Sequence, residues 1–248
     1  NIRYIPDNTD ANFTGFSHNT ATSYTNKYWS YSWRGTTAGS SIYNPTTAEL
    51  EWNPTAGIFY NWPAATNAQN SSTASEGQKT DGTDPVTRIQ GICPVGWHIP
   101  SDKEWNDLER AIYNNPTTYS QYVASDIFSP ANWQTNWESG SVAPAAGNRG
   151  SANTNGHGWA MLSPCKLSDS WYGNLNGKSY PTTLGGFNIL LAGNALSGSI
   201  NDYGRVAYFW SSSAENTHYA WYRALAGSQI FRGFPDRYFM FSVRCKKD

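Results

Sequence analysis

Gly91 to Trp105 reads GICPVGWHIPSDKEW, and this stretch decides how the chain is organised. An apolar Ile92–Cys93 pair turns through Pro94-Val95-Gly96 and delivers Trp97 and His98 ahead of Pro100. Ser101 sits three residues before Glu104, the spacing of a capping box. In that motif the serine hydroxyl accepts from the Glu104 amide, and the Glu104 carboxylate accepts from the Ser101 amide. Asp102 and Glu104 put negative charge on the positive end of the helix dipole. Trp105, Leu108, Ala111 and Ile112 recur at helical spacing. Pro116 disfavours helix at Asn115. The pattern predicts a helix from Asp102 to about Asn114.

Outward from this helix, Tyr28 to Trp33 alternates in part and suits a strand. Val86 to Ile92 is a candidate strand leading into the Cys93 turn. Asn67 to Asp84 has the composition of a surface loop. Tyr119 to Phe128 is a second, shorter helix on its apolar spacing. Ser129 to His157 has no clear period and is a long loop. Strand signals return in Gly158 to Leu167, Gly186 to Gly193, Val206 to Trp210 and Tyr219 to Leu225. In the last strand, Phe239, Phe241, Val243 and Cys245 share one face. Helices early and strands late, joined by Gly/Ser/Asn turns, predict an α+β domain with antiparallel sheets and long loops. Asn1 to Glu51 shows little period and is set apart as an N-terminal extension or assembly segment, with residues 52–248 as the main domain.

The 248 residues carry 14% charged and 15% aromatic side chains, including 12 Trp and 16 Tyr. Charge is well below the usual quarter, and this composition suits an extracellular, loop-rich protein whose Trp side chains mostly fill the core. A net charge of −1 gives no electrostatic drive toward nucleic acid or anionic lipid. No apolar run reaches membrane-spanning length. The chain begins at Asn1, not Met, and is expected to be a trimmed product.

Four blocks, taken in order, resemble one bacterial family. They are Gly57-Ile58-Phe59-Tyr60-Asn61-Trp62 with Ala64-Ala65, then Cys93 to Trp105, then Phe209-Trp210-Ser211-Ser212, then Phe241-Ser242-Val243-Arg244-Cys245. Together they are similar to the Fibrobacter succinogenes major paralogous domain, a surface-associated family. The resemblance covers Gly57 to Cys245 and leaves Asn1 to Glu51 outside. It implies a C-type-lectin-like fold, shared more distantly with formylglycine-generating enzymes and with retroelement-diversified ligand-binding proteins. It also implies a Cys93–Cys245 disulfide, which would close a loop of about 150 residues and stabilise by up to roughly 5 kcal/mol in the chain-entropy model. Cys165 is then free and expected to be buried.

Metal and catalytic chemistry find little support in the residue pattern. His18, His98, His157 and His218 are scattered, and His98 suits a hydrogen-bonded structural role. Phe234-Pro235-Asp236 lacks the leading residue of a calcium-lectin motif. Trp105-Asn106-Asp107 spells a second such motif, but inside the helix. No cofactor is expected, although a structural calcium ion in a loop stays open. Formylglycine-generating enzymes need two reactive cysteines at one groove, and the resemblance assigns two of these three to a bridge.

Glu215 to Tyr238, ENTHYAWYRALAGSQIFRGFPDRY, is dense in rings, arginines and amides. Binding surfaces are enriched in such side chains. In the retroelement-diversified relatives this same region displays ligand contacts. The candidate ligand-binding residues are Glu215, Asn216, His218, Tyr222, Gln229, Phe231, Arg232, Asp236, Arg237 and Tyr238. On strand alternation Trp221 and Leu225 face inward and Tyr222 outward. The expectation is a non-catalytic secreted or surface-displayed adhesin-like domain for a protein or glycan. The alternatives are a structural or tip subunit of a surface fimbria and, third, an oxidase related to the formylglycine-generating enzymes.

Overall fold

A computed structural model describes residues 1–6, 9–69, 88–126, 128–137, 147–151, 155–173 and 176–248. In chain order the elements begin with β1 (Phe16–His18), β2 (Lys27–Tyr31), β3 (Ser40–Ile42) and α1 (Pro45–Glu51). They continue with β4 (Ile58–Asn61), α2 (Trp62–Ala65), β5 (Trp97–His98), α3 (Asp102–Asn114) and α4 (Pro116–Tyr119). Then come β6 (Gly147–Arg149), α5 (His157–Met161), β7 (Asn194–Leu196), β8 (Ser199–Asn201) and β9 (Ala207–Ala214). The chain closes with β10 (Ala220–Leu225), β11 (Ile230–Gly233), β12 (Met240–Phe241) and β13 (Lys246–Lys247).

The fold is α+β. A seven-stranded sheet runs β1-β2-β4-β12-β7-β8-β3, a four-stranded sheet runs β6-β11-β10-β9, and β13 pairs with β5. Within them only the β1–β2 pairing is parallel. Residues 1–51 supply β1, β2 and β3 to the seven-stranded sheet, so the boundary drawn after Glu51 runs through one sheet.

Strand β9 is the wall between two cores. Its alternation sends Trp210 into the core of the seven-stranded sheet, with Tyr60, Trp62 and Phe241, and Phe209 into the core under α3, with Trp105, Met161 and Leu225. A buried indole usually finds an acceptor, and for two of them backbone oxygens supply it: Trp210 Nε1 donates to Tyr60 O at 2.8 Å, and Trp62 Nε1 to Ser211 O at 3.0 Å. The Cys93–Cys245 disulfide forms across a Cα separation of 5.8 Å. It fastens the turn before α3 to the end of the chain. Beside it His98 is buried, with Nδ1 2.6 Å from Asp248 Oδ1 and Nε2 3.0 Å from Glu104 Oε1, which is the structural role expected of it.

Helix α3 spans the predicted residues and carries the full capping box, with Glu104 N donating to Ser101 Oγ at 3.1 Å and Ser101 N to Glu104 Oε2 at 2.9 Å. Other local expectations are corrected. The helix predicted at Tyr119 to Phe128 does not form among the described residues: the single turn α4 comes before it and ends at Tyr119, with Ser120 as its cap. There both the amide and the hydroxyl of Ser120 donate to Pro116 O. The strand expected across Gly158 to Leu167 begins as the helix α5, in which Gly158 lies flat against another backbone. A Cβ on it would meet Gly227 O at 2.4 Å.

Gly186 to Gly193 is buried in part, with Phe187, Asn188 and Leu190 half-exposed, and is not a regular strand. Asn188 turns at a φ of 53°, and Ile189 makes only an isolated bridge to Leu162. Residues 88–92 turn at Gly91 and form no strand, while Val86 and Thr87 lie outside the described residues, as do residues 70–84 of the predicted surface loop. Within the long loop from Ser129, a 3-10 turn at Thr135–Trp137 and strand β6 are ordered, and Trp137 is buried. The last strand is split into β12 and β13. It is buried on both faces around Phe241, since Met240 and Ser242 are as enclosed as Val243. Cys165, expected to be buried, is exposed.

Candidate functional site

Two groups of polar side chains come together from Glu215 to Tyr238, one inside the molecule and one at its surface. The inner group lies between α3 and the four-stranded sheet. Asp102, Asn106 and Glu109 follow one another at intervals of four and three residues, so they form a single stripe on α3, and all three are buried. Arg223 on β10 lies opposite Arg232 on β11. Two guanidinium groups so placed would repel, and Asp102 holds both. Arg223 Nη1 is 2.5 Å from Asp102 Oδ1, Arg232 Nε donates to the same oxygen at 3.0 Å, and Arg232 Nη2 bonds Oδ2.

Arg223 also bonds Glu109 through Nε, and Arg149 Nη1 reaches Asn106 Oδ1 at 2.9 Å and Glu109 Oε2 at 3.2 Å. His157 is fully buried, with Nε2 3.5 Å from Glu109 Oε2, among the rings of Tyr113, Trp133 and Trp137. Arg232 lies over the Trp221 ring, with its Cζ 3.5 Å from the centroid.

Burial alone would raise the Asp102 and Glu109 carboxyls. The arginines outweigh it and hold both below the ordinary range, Asp102 through Arg223 and Arg232, and Glu109 through Arg149 and Arg223. Burial lowers Arg149 to about 10. The carboxylates are spent on ion pairs and sealed from solvent, so the cluster fastens α3 to the sheet rather than offering a general acid or base.

The surface group is built by loops. Asn216 Oδ1 accepts from the amides of His218 at 2.8 Å and Tyr219 at 3.0 Å, which fixes the turn after β9. Arg237 N donates to His218 O at 2.8 Å, and Tyr219 bridges Asp236, so the turn before β10 and the turn before β12 are tied together. Tyr24 joins them from far away in sequence. Its hydroxyl donates to Asp236 Oδ1 at 2.6 Å, and its ring stands edge-on to His218 at 4.8 Å and to Tyr238 at 5.2 Å. Tyr24 is 39% exposed and Tyr219 38%. The bond to Asp236 pushes the Tyr24 hydroxyl up to about 12.

The ten predicted ligand residues therefore separate. Glu215, Asn216, His218, Asp236 and Tyr238 gather at this tip. Arg232 and Arg237 are corrected: neither is a surface residue. Arg232 belongs to the buried ion cluster, and Arg237 lies beneath the tip, with its Cζ 4.1 Å over the Trp62 ring and its Nε donating to Tyr219 O at 3.3 Å. Tyr222, expected outward, is half-buried between Phe241 and Phe231. Gln229 and exposed Phe231 line a separate pocket beside Trp159.

Sequence reasoning missed Tyr24, for which no local signal exists. It also missed the Asp102–Glu109–Arg223 cluster, although Arg223 lies between Trp221 and Leu225 on the face expected to point inward. Among the described residues no three His, Cys, Asp or Glu side chains are grouped to hold a metal ion, and no helix is long and apolar enough to cross a membrane. Asn106 and Asp107 of the calcium-like motif diverge, one into the ion cluster and the other to Lys103 at 2.6 Å.

No curated protein and no solved structure matches the chain. A family comparison matches residues 1–247, including the N-terminal strands that the sequence blocks left out. The chain belongs to the Fibrobacter succinogenes major domain family, a bacterial family.

Proposed function

We propose that this chain is a non-catalytic binding domain with a C-type-lectin-like arrangement, displayed outside the cell, that recognises a protein or glycan at the aromatic tip. The observation that carries the reading is Tyr24. A tyrosine about 200 residues away in sequence is brought edge-on against His218 and Tyr238 and is tied to Asp236. Rings already held in place lose little freedom on binding and present large contact area. Asp236, Asn216 and His218 supply hydrogen-bonding groups around them. The Cys93–Cys245 disulfide and the low charge support an oxidising, extracellular setting. Cys93 and Cys245 are bound to each other, and this argues against the paired reactive cysteines of an oxidase.

The test is a glycan and protein array probed with the wild-type chain and with a Tyr24→Ala/Tyr238→Ala variant. Loss of an interface anchor costs roughly 2 kcal/mol or more, about thirtyfold in affinity. A variant that folds normally and keeps every hit at wild-type strength ends this reading. A structural role in a surface fibre is the second reading. It is favoured by β3, an edge strand of the seven-stranded sheet whose Ile42 side chain is 84% exposed.

A further inference from the structure

We propose a second binding site, independent of the tip, in the pocket between Trp159 and Phe231, and that it holds one neutral sugar ring. The pocket has a volume of about 240 Å³. That is below the roughly 300–1,000 Å³ of sites for drug-sized molecules, so its occupant is a single small ring. The space exists because Ala224, Gly227 and Ser228 are small. Gly227 has a φ of +132°, and a Cβ there would come within 3.3 Å of the Trp159 ring. Among the described residues no charged side chain lines the pocket, so the ligand it suits is uncharged.

Two amides distinguish a sugar from an apolar side chain. Gln229 Nε2 donates to Gly150 O at 2.8 Å, which fixes the amide and leaves its Oε1 as an acceptor. Asn148, exposed on β6, brings both a donor and an acceptor. An apolar occupant would cover these groups without pairing them, and an unpaired buried polar group costs about 1–3 kcal/mol. The hydroxyls of a pyranose pair with both, while its C–H face lies on the indole of Trp159 or the ring of Phe231. The same pocket thus satisfies a ligand with one apolar face and a polar rim.

Saturation-transfer NMR with the methyl pyranosides of glucose, galactose, mannose, fucose and N-acetylglucosamine tests this. At least one should receive saturation and shift the side-chain amide signals of Gln229 and Asn148. Asn148→Ala should weaken it by up to about tenfold, the loss of one hydrogen bond, without lowering the melting temperature. Trp159→Ala should abolish it, and Trp159→Phe, which keeps a ring for packing, should retain part of it. Tyr24→Ala/Tyr238→Ala should leave it unchanged, so failure at the tip and failure here are separate results. The proposal is overturned if none of these sugars shifts the Gln229 and Asn148 amides. It is equally overturned if N-acetylphenylalaninamide occupies the pocket and they do not, or if folded Asn148→Ala and Trp159→Phe bind them as the wild type does.

Discussion

Arg223 and His218 lie five residues apart, yet one is sealed in the protein and the other stands on its surface. The same contrast holds for Arg232 and Asp236. Within strands β10 and β11 the side-chain direction is dictated by the pleat, and the face toward α3 receives whatever residue falls there. Where that residue is arginine, it is retained only because Asp102 and Glu109 meet it. In the turns no pleat applies, and rings are arranged by side-chain hydrogen bonds and edge contacts instead. A stretch rich in arginine and aromatics is therefore not one surface. Arg223 and Arg232 hold the sheet under the helix, Arg237 packs on Trp62 beneath the tip, and Tyr24, Tyr219 and His218 face outward.

Breaking the inner half should have the largest effect. Arg223→Met removes one partner from both Asp102 and Glu109 and leaves carboxylates buried without full compensation. Such a change costs about 3–5 kcal/mol, and urea denaturation should show it as a much lower midpoint. Unchanged stability would mean that the cluster is not a fastening. Arg232→Ala should act in the same direction through Asp102.

Acid should loosen the same half next. Asp102 and Glu109 have ordinary values of 3.8 and 4.5 and are held lower in the folded chain. The unfolded chain therefore binds protons more readily. The stabilisation is complete above these ordinary values and is lost as pH falls below them toward the depressed folded ones. Denaturation midpoints of the wild type should drop steeply between about pH 4.5 and 2, and Asp102→Asn should flatten that slope. An equal slope in the variant would remove Asp102 from the account.

These two halves were unequally legible. Helix α3, its cap and strands β9 and β10 could be read because their signals are local: the capping box, the 3.6-residue period and the 2-residue period. The ion cluster was half visible, since the stripe Asp102–Asn106–Glu109 and the inward position of Arg223 follow from those same periods. Its partner Arg149 lies in a stretch without period and is placed only by pairing with β11. Tyr24 was invisible, because nothing near residue 24 indicates that it will meet residues 218 and 236. The apolar run Gly186 to Gly193 misled for the opposite reason. Burial gave it the composition of a core strand, whereas the turn at Asn188 takes its backbone out of the ladder.

A smaller effect tests the helix that carries the acidic stripe. Ser101→Ala removes the acceptor for the Glu104 amide and should cost about 1 kcal/mol. Asp102 is the first residue after this cap, so the same variant should also shift the acid transition slightly. A midpoint within error of the wild type would show that the Asp102 ion pairs alone set the helix start.

The smallest expected change is at the tip, and it sharpens the contrast most. Tyr24 and Tyr238 touch each other, His218 and Asp236, and their outer faces meet solvent. Removing both rings takes away the Tyr24 bond to Asp236, two edge contacts and the stack of Tyr238 on Phe239, while Arg237 remains against Trp62 beneath. Stability should shift by no more than about 0.5 kcal/mol, as surface changes usually do. A loss several times larger would make the rings a buttress for the two loops, not a display. In that case any loss of array binding would have to be attributed to loop collapse, which circular dichroism in the aromatic range would reveal. A near-neutral stability with lost binding separates a recognition surface from the buried fastening a few residues away.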